Sequence, residues 1–389
     1  MKKSMLALAA LTAFAGAASA QSSVQIWGIV DAAISKGSVS GGNSVTRLVG
    51  SGISSSQLGF RGSEDMGGGM RANFWLEAAL QNDNGAGGAT NVNNQGTGGS
   101  AVCTTNAISS TATPPAAATC SVATNGTQGL TFARRATVSL SGSFGEIRLG
   151  RDYTPQFWNW TVYDPFGTNG VGTTRTMLSS VAVGAAYGGT GGTAVRASNS
   201  ITYLFNHGAN ATYAAGGKGL HAAVQMYYGE NLSSAANKSD GSGTGIRVGY
   251  NAGPLSVAFG TGSTKFLNNN MRMTNIGAAY DMKVVRVMGQ WTKDKAGTVS
   301  GDGMLLGLTA PMGAGLLRAS YSTYENNTTK AESKQTAIGY VHNLSKRTRA
   351  YATYARVGNS GGAAASLGGA TGAANRGSTG LDIGMTHSF

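Results

Sequence analysis

The sequence has few charged residues, few cysteines and no long apolar segment beyond its amino terminus. Charged residues make up 12% of its 389 residues, and it contains two cysteines and four histidines. Helix-period apolar stripes are almost absent, and no internal run approaches the ~20 apolar residues that a membrane-spanning helix needs. These deficits exclude a helical membrane protein and disfavour a helical soluble domain of this length.

The amino terminus has the order of a secretory signal peptide. Two lysines precede an apolar run, and the segment ends in the small residues Ala18-Ser19-Ala20. This run is too short for a membrane anchor. We therefore predict a signal peptide over residues 1–20 and a mature, exported chain over residues 21–389, beginning at Gln21.

Basic residues outnumber acidic residues by 29 to 16. Removing Lys2 and Lys3 leaves 27 basic residues and a formal charge of +11 on the mature chain. Such an excess favours nucleic acid, anionic lipid or anionic solutes as partners, and export argues against nucleic acid. The basic residues are dispersed along strand-like segments, which disfavours a polybasic surface tail.

Residues Gly129–Asp152 predict a β-hairpin with one apolar and one polar face. Arg135 and Arg148 belong to the polar, cationic side. A cationic face opposite an apolar face is typical of a wall between lipid and water, so the hairpin is predicted to line a pore. The alternating apolar set is Ala136, Val138 and Leu140, and the polar set is Thr137, Ser139 and Ser141.

Period-two alternation or strand-rich composition predicts sixteen strands. The first eight are Val24–Ser35, Ile53–Ser63, Met70–Gln81, Leu130–Gly142, Glu146–Asp152, Asn199–Asn206, Gly219–Gly229 and Thr244–Asn251. The second eight are Leu255–Ser263, Met273–Asp281, Lys283–Lys293, Asp302–Ala310, Gly315–Glu325, Lys334–Leu344, Arg347–Val357 and Thr379–Phe389.

The connections between these strands alternate in length. Short turns should lie on one rim and long loops on the other, and with an even strand count the first and last strands can pair. The fold class is therefore predicted as all-β, a transmembrane antiparallel β-barrel of sixteen strands. The predicted long loops are Lys36–Gly52, Asn82–Gln128, Tyr153–Ser198, Glu230–Gly243 and Gly358–Ser378.

Several motifs spread along the mature chain resemble those of Gram-negative general porins, most closely the beta-proteobacterial trimeric porins of the Burkholderia, Comamonas and Neisseria type. They are SSVQIWGIVDAAI (Ser22–Ile34), LGFRGSEDMGGGMRANFWLE (Leu58–Glu77), RRATVSLSGSFGEIRLGRD (Arg134–Asp152), YDPFG (Tyr163–Gly167), GYVHNLSKRT (Gly339–Thr348) and GMTHSF (Gly384–Phe389).

The resemblance implies a general diffusion porin of the outer membrane, assembled as a homotrimer. Its third long loop, about residues 153–198, should fold inward as a constriction loop, with YDPFG and its Asp164 at the tip. Phe389 is similar to the terminal residue read by the barrel-assembly machinery. Outer-membrane lipid or lipopolysaccharide should surround the barrel, and small ions and hydrophilic solutes should pass through it.

The resemblance also implies a pore lined by arginine with a weak anion preference. The family's wall arginine matches Arg134, whereas strand parity puts Arg135 in the lumen, so both are candidates together with Arg148. Arg196 matches the arginine at the end of the constriction loop. Gln57 occupies the place of a third family arginine, which weakens the expected preference.

Other interpretations remain open at this stage. The arginines could form a plain solvated strand face or anchor the constriction loop. The tryptophans could form an interfacial girdle, pack within the loop or guide solutes. A substrate-specific channel and a surface adhesin or antigen acting through its long loops are alternative functions. The four histidines lie in no distinctive motif, so we expect no enzyme activity, metal site or cofactor.

Cys103 and Cys120 lie in the predicted second long loop. In an oxidising, exported setting the simplest prediction is a disulfide between them. The bridge would close a loop of roughly 18 residues and contribute ~3 kcal/mol by the chain-entropy estimate.

Overall fold

The computed structural model describes residues 23–88, 94, 130–174, 193–208, 210–211, 216–234, 238–266 and 269–389. The predicted signal peptide and both cysteines, Cys103 and Cys120, lie outside these residues. Within the described ranges, no helix is long and apolar enough to cross a membrane.

Sixteen strands form one closed antiparallel barrel, as the sequence predicts. In chain order β1 is Ser23–Val39, β2 is Ser44–Gly50 continued by Gln57–Gly67, β3 is Met70–Gln81, β4 is Arg135–Gly142, β5 is Gly145–Tyr153, β6 is Arg196–Phe205, β7 is Gly219–Tyr227 and β8 is Gly243–Ala252. The others are β9, Leu255–Phe266; β10, Asn269–Asp281; β11, Arg286–Ala296; β12, Val299–Met312; β13, Gly315–Asn326; β14, Glu332–Asn343; β15, Thr348–Ser360; and β16, Ser378–Ser388. A two-residue strand, Ala86–Gly87, pairs with the end of β3.

The two ends of the sheet meet and close the barrel. β1 pairs with β16 from Ile29↔Ser388 to Val39↔Ser378, and its other edge pairs with both halves of β2. The Phe389 amide donates to the Gly28 carbonyl at 3.0 Å, and the Gly28 amide returns a bond to the Phe389 carbonyl at 3.1 Å. Among the described strands, closure leaves no free edge of the sheet, as a lipid environment requires.

Each strand separates an apolar outer face from a polar inner face. On β4, Val138 is 56% exposed and Leu140 lies on the same face, whereas Arg135 and Thr137 are buried on the inside. On β16, Ile383 is exposed and lies next to the inward Asp382, which is buried. Period-two patterning therefore predicts the two faces correctly, because successive side chains of a strand point to opposite sides.

The main errors in the predicted boundaries fall in two regions of the chain. The segment predicted as the first long loop, Lys36–Gly52, is mostly strand, since β1 continues to Val39 and Ser44–Gly50 pairs with it. The actual break in β2 falls at residues 51–56, which overlaps the start of the predicted second strand, Ile53–Ser63. Likewise, β4 begins at Arg135 rather than at Leu130. Gly- and Ser-rich stretches hide the strand period, so only pairing reveals these limits.

One connection on the short-turn rim is long, and its described residues lie against the inner wall of the barrel. We call these residues, 206–208, 210–211 and 216–218, the inward turn. Its Asn210 amide donates to Glu146 Oε2 at 2.9 Å, and Arg148 donates to the Ala211 carbonyl. Asn251 Nδ2 donates to the Gly216 carbonyl at 2.7 Å. The described part of the inward turn thus covers inner-wall residues of β5 and β8.

The connection between β5 and β6 also folds inward, as predicted for the constriction loop, which here comprises residues 154–195. It contains the helix α1, Phe157–Val162, and its described residues follow the inner wall from β8 to β16. Inward-facing glycines give it room, because a Cβ at those positions would overlap the loop. These contacts are Gly245 with Pro155, Gly262 with Gln156, Gly277 with Tyr163, Gly307 with Pro165 and Gly380 with Val171.

Gly277→Val is expected to push the constriction loop off the wall. A Cβ at Gly277 would lie 2.1 Å from the Tyr163 ring, so the ring must move toward the lumen. Overpacking of this kind costs about 1–3 kcal/mol. We expect a lower single-channel conductance and a lower temperature for loss of the folded band on semi-native gels.

Gly289→Val on β11 is the matched control for that variant. Gly289 pairs with the outward Leu306, and the nearest atom to its Cβ position is 3.7 Å away. Wild-type conductance in the control, together with wild-type conductance in Gly277→Val, would contradict the proposed role of the wall glycines.

Candidate functional site

Two of the predicted arginines meet where β3, β4, β5 and β6 lie side by side. Arg134 Nε donates to Glu77 Oε1 at 2.5 Å, and Arg134 Nη2 donates to the Tyr153 hydroxyl at 2.5 Å. Arg196 Nη2 donates to the same hydroxyl at 2.7 Å, and its Cζ lies 4.2 Å from the centre of the Tyr153 ring. The cluster thus holds two guanidinium groups together around one phenol oxygen and one carboxylate.

The arginines of this cluster are not fully buried. The Arg134 side chain is 15% exposed, against 6% for Glu77, and Arg196 is also partly exposed. Arg196 Nε donates to the Arg134 carbonyl at 2.9 Å, which fixes the spacing of the two groups. The sequence alone did not identify Tyr153 and Glu77, since only the register of four strands places them beside the arginines.

Gln57 lies on the inner face, one row from this cluster. It pairs with Ile29 and Ala79, while Gly59 two positions along pairs with Glu77. Its Oε1 is buried and has no hydrogen-bond partner among the described residues. An arginine at this position would therefore add a third cation beside Glu77, and glutamine leaves that charge out.

Arg135 and Arg148 lie on the inner face in buried ion pairs. Arg135 Nε is 3.5 Å from Asp152 Oδ2, and its Cζ lies 4.2 Å from the Trp75 ring centre. Arg148 lies 2.7 Å from Glu146 and 3.2 Å from Asp152, beneath the inward turn. Both arginines are at most 2% exposed, so they brace the wall and present little charge to solutes.

Asp164 lies at the tip of the constriction loop, but its carboxylate faces the loop itself. Oδ1 accepts the Phe166 amide at 2.8 Å and Oδ2 accepts the Thr174 amide at 3.0 Å. Burial raises the pKa of Asp164 to about 7. Arg318 supports the same turn, since its Cζ lies 4.8 Å from the Phe166 ring centre. The Asp164 side chain thus closes the YDPFG turn.

The break in β2, residues 51–56, contacts the part of the constriction loop that follows the YDPFG turn. Asp31 accepts amide hydrogens from Gly52 at 2.7 Å and from Ser54 at 3.1 Å, and the Tyr351 hydroxyl donates to it at 2.6 Å. Ser55, held in this segment, donates to Asn169 Oδ1 of the loop at 3.0 Å. We call residues 51–56 the dock.

The tryptophans divide between the inner wall, the loop and the outer face. Trp27 and Trp75 face inward and meet edge to face, with ring centres 5.5 Å apart. Trp158 and Trp160 are buried in α1, and Trp291 is 38% exposed on the outer face. An interfacial girdle therefore accounts for Trp291 and does not account for the two inward tryptophans.

The inner face of the barrel is covered by the constriction loop on one side and carries Arg134 and Arg196 on the other. The constriction loop covers the wall from β8 to β16 with backbone amides and apolar rings, and its Asp164 points into the loop. Arg134 and Arg196 lie outside that stretch, on the uncovered side. This arrangement leaves the guanidinium groups of Arg134 and Arg196 partly exposed beside the remaining lumen.

Comparison with known proteins supports the resemblance to Gram-negative porins that the sequence motifs indicate. A model of the Gram-negative porin family matches residues 7–362. Outer membrane porin protein 32 of Delftia acidovorans is 32% identical, with 100% of both chains covered. An outer membrane porin protein of Bordetella pertussis is 26% identical, covering 92% of this chain and 94% of that protein.

Solved structures agree with the barrel. An anion-selective porin from Comamonas acidovorans superposes with a TM-score of 0.72 at 30% identity, covering 95% of this chain and 100% of that one. OmpT of Vibrio cholerae superposes with a TM-score of 0.58 at 12% identity, covering 95% and 98%, and this likeness shows the fold alone. With a family match over most of its length and a sixteen-stranded barrel, the chain belongs to the Gram-negative porins of the outer membrane.

Proposed function

We propose that this porin is a general diffusion pore with a preference for anions. The observation that carries the proposal is the pair Arg134 and Arg196, whose guanidinium groups both bind the Tyr153 hydroxyl, while a single carboxylate, Glu77, pairs with Arg134. The anion-selective relative from Comamonas supports the same direction. Gln57, which adds no charge, is consistent with a weak rather than a strong preference.

The chemistry of guanidinium suits a passive pore. The group stays charged at any physiological pH, and it is only weakly hydrated. A partly exposed pair therefore raises the local concentration of anions without the tight binding that would slow their exit. Tyr153 and Glu77 hold the pair in one geometry, so the field is fixed before a solute arrives.

The reversal potential of the wild-type protein tests this proposal. Refolded protein in a planar bilayer under a KCl gradient is expected to give ohmic current steps whose reversal potential has the sign of chloride preference. A zero or cation-sided reversal potential from folded protein would refute the anion preference while leaving the pore intact. Absence of any conductance would refute the pore itself.

We also propose the homotrimer that the family resemblance implies. Near the turn rim, the outer face carries aromatic side chains over most of the barrel, as lipid interfaces favour. Exposed aliphatic side chains and methionines also occur at several turns of this rim, and those at the start of β1 and in the β2–β3 turn suit contact with another subunit. The aromatic set is Phe144, Tyr203, Tyr250, Tyr280, Tyr340 and Phe389, and the set at the start of β1 and in the β2–β3 turn is Val24, Ile26, Met66 and Met70.

We also propose that the chain is exported by its signal peptide and inserted by the barrel-assembly machinery. Cleavage of residues 1–20 would release the chain into the periplasm, where Cys103 and Cys120 could pair. Phe389 is 49% exposed, with its backbone held by Gly28, so its ring is accessible at the barrel seam. That position suits a carboxy-terminal signal for the barrel-assembly machinery and, afterwards, contact with lipid or lipopolysaccharide.

A further inference from the structure

Part of the inner wall is left uncovered by both inward segments. No hydrogen bond from the described residues of the constriction loop or of the inward turn reaches Gln25, Trp27 or Arg61. Gln25 is exposed, and Trp27 and Arg61 are partly exposed. Because β2 runs toward the turn rim, Arg61 lies on the turn side of the row that holds Glu77.

Arg61 differs from three other arginines of the inner face in its partners. Arg134, Arg135 and Arg148 each form an ion pair with a carboxylate. Among the described residues no carboxylate lies within ion-pair distance of Arg61, whose Nε donates to Gln25 Oε1 at 2.8 Å. The rest of its guanidinium fork is therefore available to an anion from solution.

Two indoles hold Arg61 in place. Its Cζ lies 5.0 Å from the Trp75 ring centre and 5.9 Å from the Trp27 ring centre. Trp27 packs closely over Gly59, where a Cβ would lie 2.4 Å from the ring, so the indole rests against bare backbone. The result is a partly exposed indole directly beside a guanidinium group that lacks a carboxylate partner.

We propose that Trp27 and Arg61 form a subsite for aromatic monocarboxylates on the turn side of the Arg134–Arg196 cluster. The carboxylate would take the free edge of the Arg61 guanidinium, and the aromatic ring would pack on the Trp27 indole. This inference rests on the proposed anion pore and adds a solute class to it. A halide ion would be bound by the charge of Arg61 alone, whereas an aromatic carboxylate would be bound by both Arg61 and Trp27.

Block of chloride current by benzoate tests the subsite, with cyclohexanecarboxylate as a probe of equal charge and no aromatic ring. Benzoate is expected to block wild-type channels at a concentration several-fold lower than cyclohexanecarboxylate does. Arg61→Gln should raise the half-blocking concentration of benzoate about tenfold, and Trp27→Leu roughly fivefold. Arg61→Lys, which keeps the charge and loses the fork, should fall between wild type and Arg61→Gln.

Arg272→Gln is the matched control, because Arg272 is exposed and alternates with the buried, inward Met271 and Met273. All variants are first checked for the folded band on semi-native gels. Equal block by the two acids, or unchanged benzoate block in Arg61→Gln and Trp27→Leu, would overturn the subsite. Chloride preference measured in the same membranes separates that failure from failure of the anion pore, which would overturn both.

Discussion

The double variant Arg134→Gln/Arg196→Gln is expected to lose its chloride preference and to become weakly cation-preferring. A unit charge about 6 Å from a passing ion contributes roughly 0.7 kcal/mol in water by Coulomb's law. Two arginines therefore favour an anion by about 1.4 kcal/mol, a tenfold effect, and disfavour a cation by about the same amount, so the anion-to-cation permeability ratio should fall by up to about a hundredfold. Glu77, left without its partner Arg134, would add a negative charge at the same place.

The reversal potential in a KCl gradient measures this change. Two further variants are measured beside it, one with the opposite expected effect and one as a control. Glu77→Gln removes the opposing charge, so it is expected to move the reversal potential toward stronger chloride preference. Arg272→Gln changes the same charge on the outer face and should leave the reversal potential unaltered. If the double variant kept the wild-type permeability ratio while folding normally, the Arg134–Arg196 cluster would not be the selectivity element.

The effect should also depend on salt. The Debye length is about 10 Å at 0.1 M and about 3 Å at 1 M ionic strength. We therefore expect the difference between wild type and the double variant to shrink in 1 M KCl, because partly exposed charges are screened there. Both groups are arginine and stay charged between pH 6 and pH 8, so their contribution to the preference should be the same across that range.

The barrel was predictable from sequence because its signals are local. Alternation on β4 and β16 needs only neighbouring residues, and the motif YDPFG identifies the loop tip from a short stretch. The sequence did not predict Tyr153 and Glu77 as partners of the arginines. Those contacts depend on the register between four strands, which no local pattern specifies.

The roles of individual glycines also could not be predicted from local sequence patterns. Their abundance in strand-like segments was visible in the composition, but the reason for individual ones was not. Gly277 is needed because Tyr163, more than a hundred positions away in the chain, lies against it. Similarly, the inward turn has no distinctive motif, and only the contacts of its described residues Asn210 and Ala211 with Glu146 and Arg148 reveal that they lie inside the barrel.

Asp31→Val is expected to release the dock and loosen the constriction loop without opening the barrel. The carboxylate accepts amides from Gly52, Ile53 and Ser54 and the hydroxyl of Tyr351. Each buried donor left without a partner costs about 1–3 kcal/mol. The break in β2 cannot replace these bonds through pairing, so the local cost should exceed several kcal/mol.

Single-channel recording is the sharpest measurement of that release. Since Ser55 of the dock binds Asn169 of the loop at 3.0 Å, a released dock removes one attachment of this part of the loop. We expect more open-channel current noise and closure at lower voltage than in wild type. Asp31→Asn, which keeps one acceptor oxygen and places an amide donor against other donors, should show a smaller change of the same kind.

Asp281→Asn is the control for the Asp31 variants, because Asp281 accepts the Lys283 amide at 2.8 Å in an exposed turn far from the dock. The folded band on semi-native gels should survive in Asp31→Val, since the pairing of β1 with β16 involves the backbone and not this carboxylate. Wild-type noise and closure voltage in folded Asp31→Val would mean that the loop is held by its wall contacts alone. In that case Gly277→Val, which disturbs those contacts and spares the dock, should produce the instability instead.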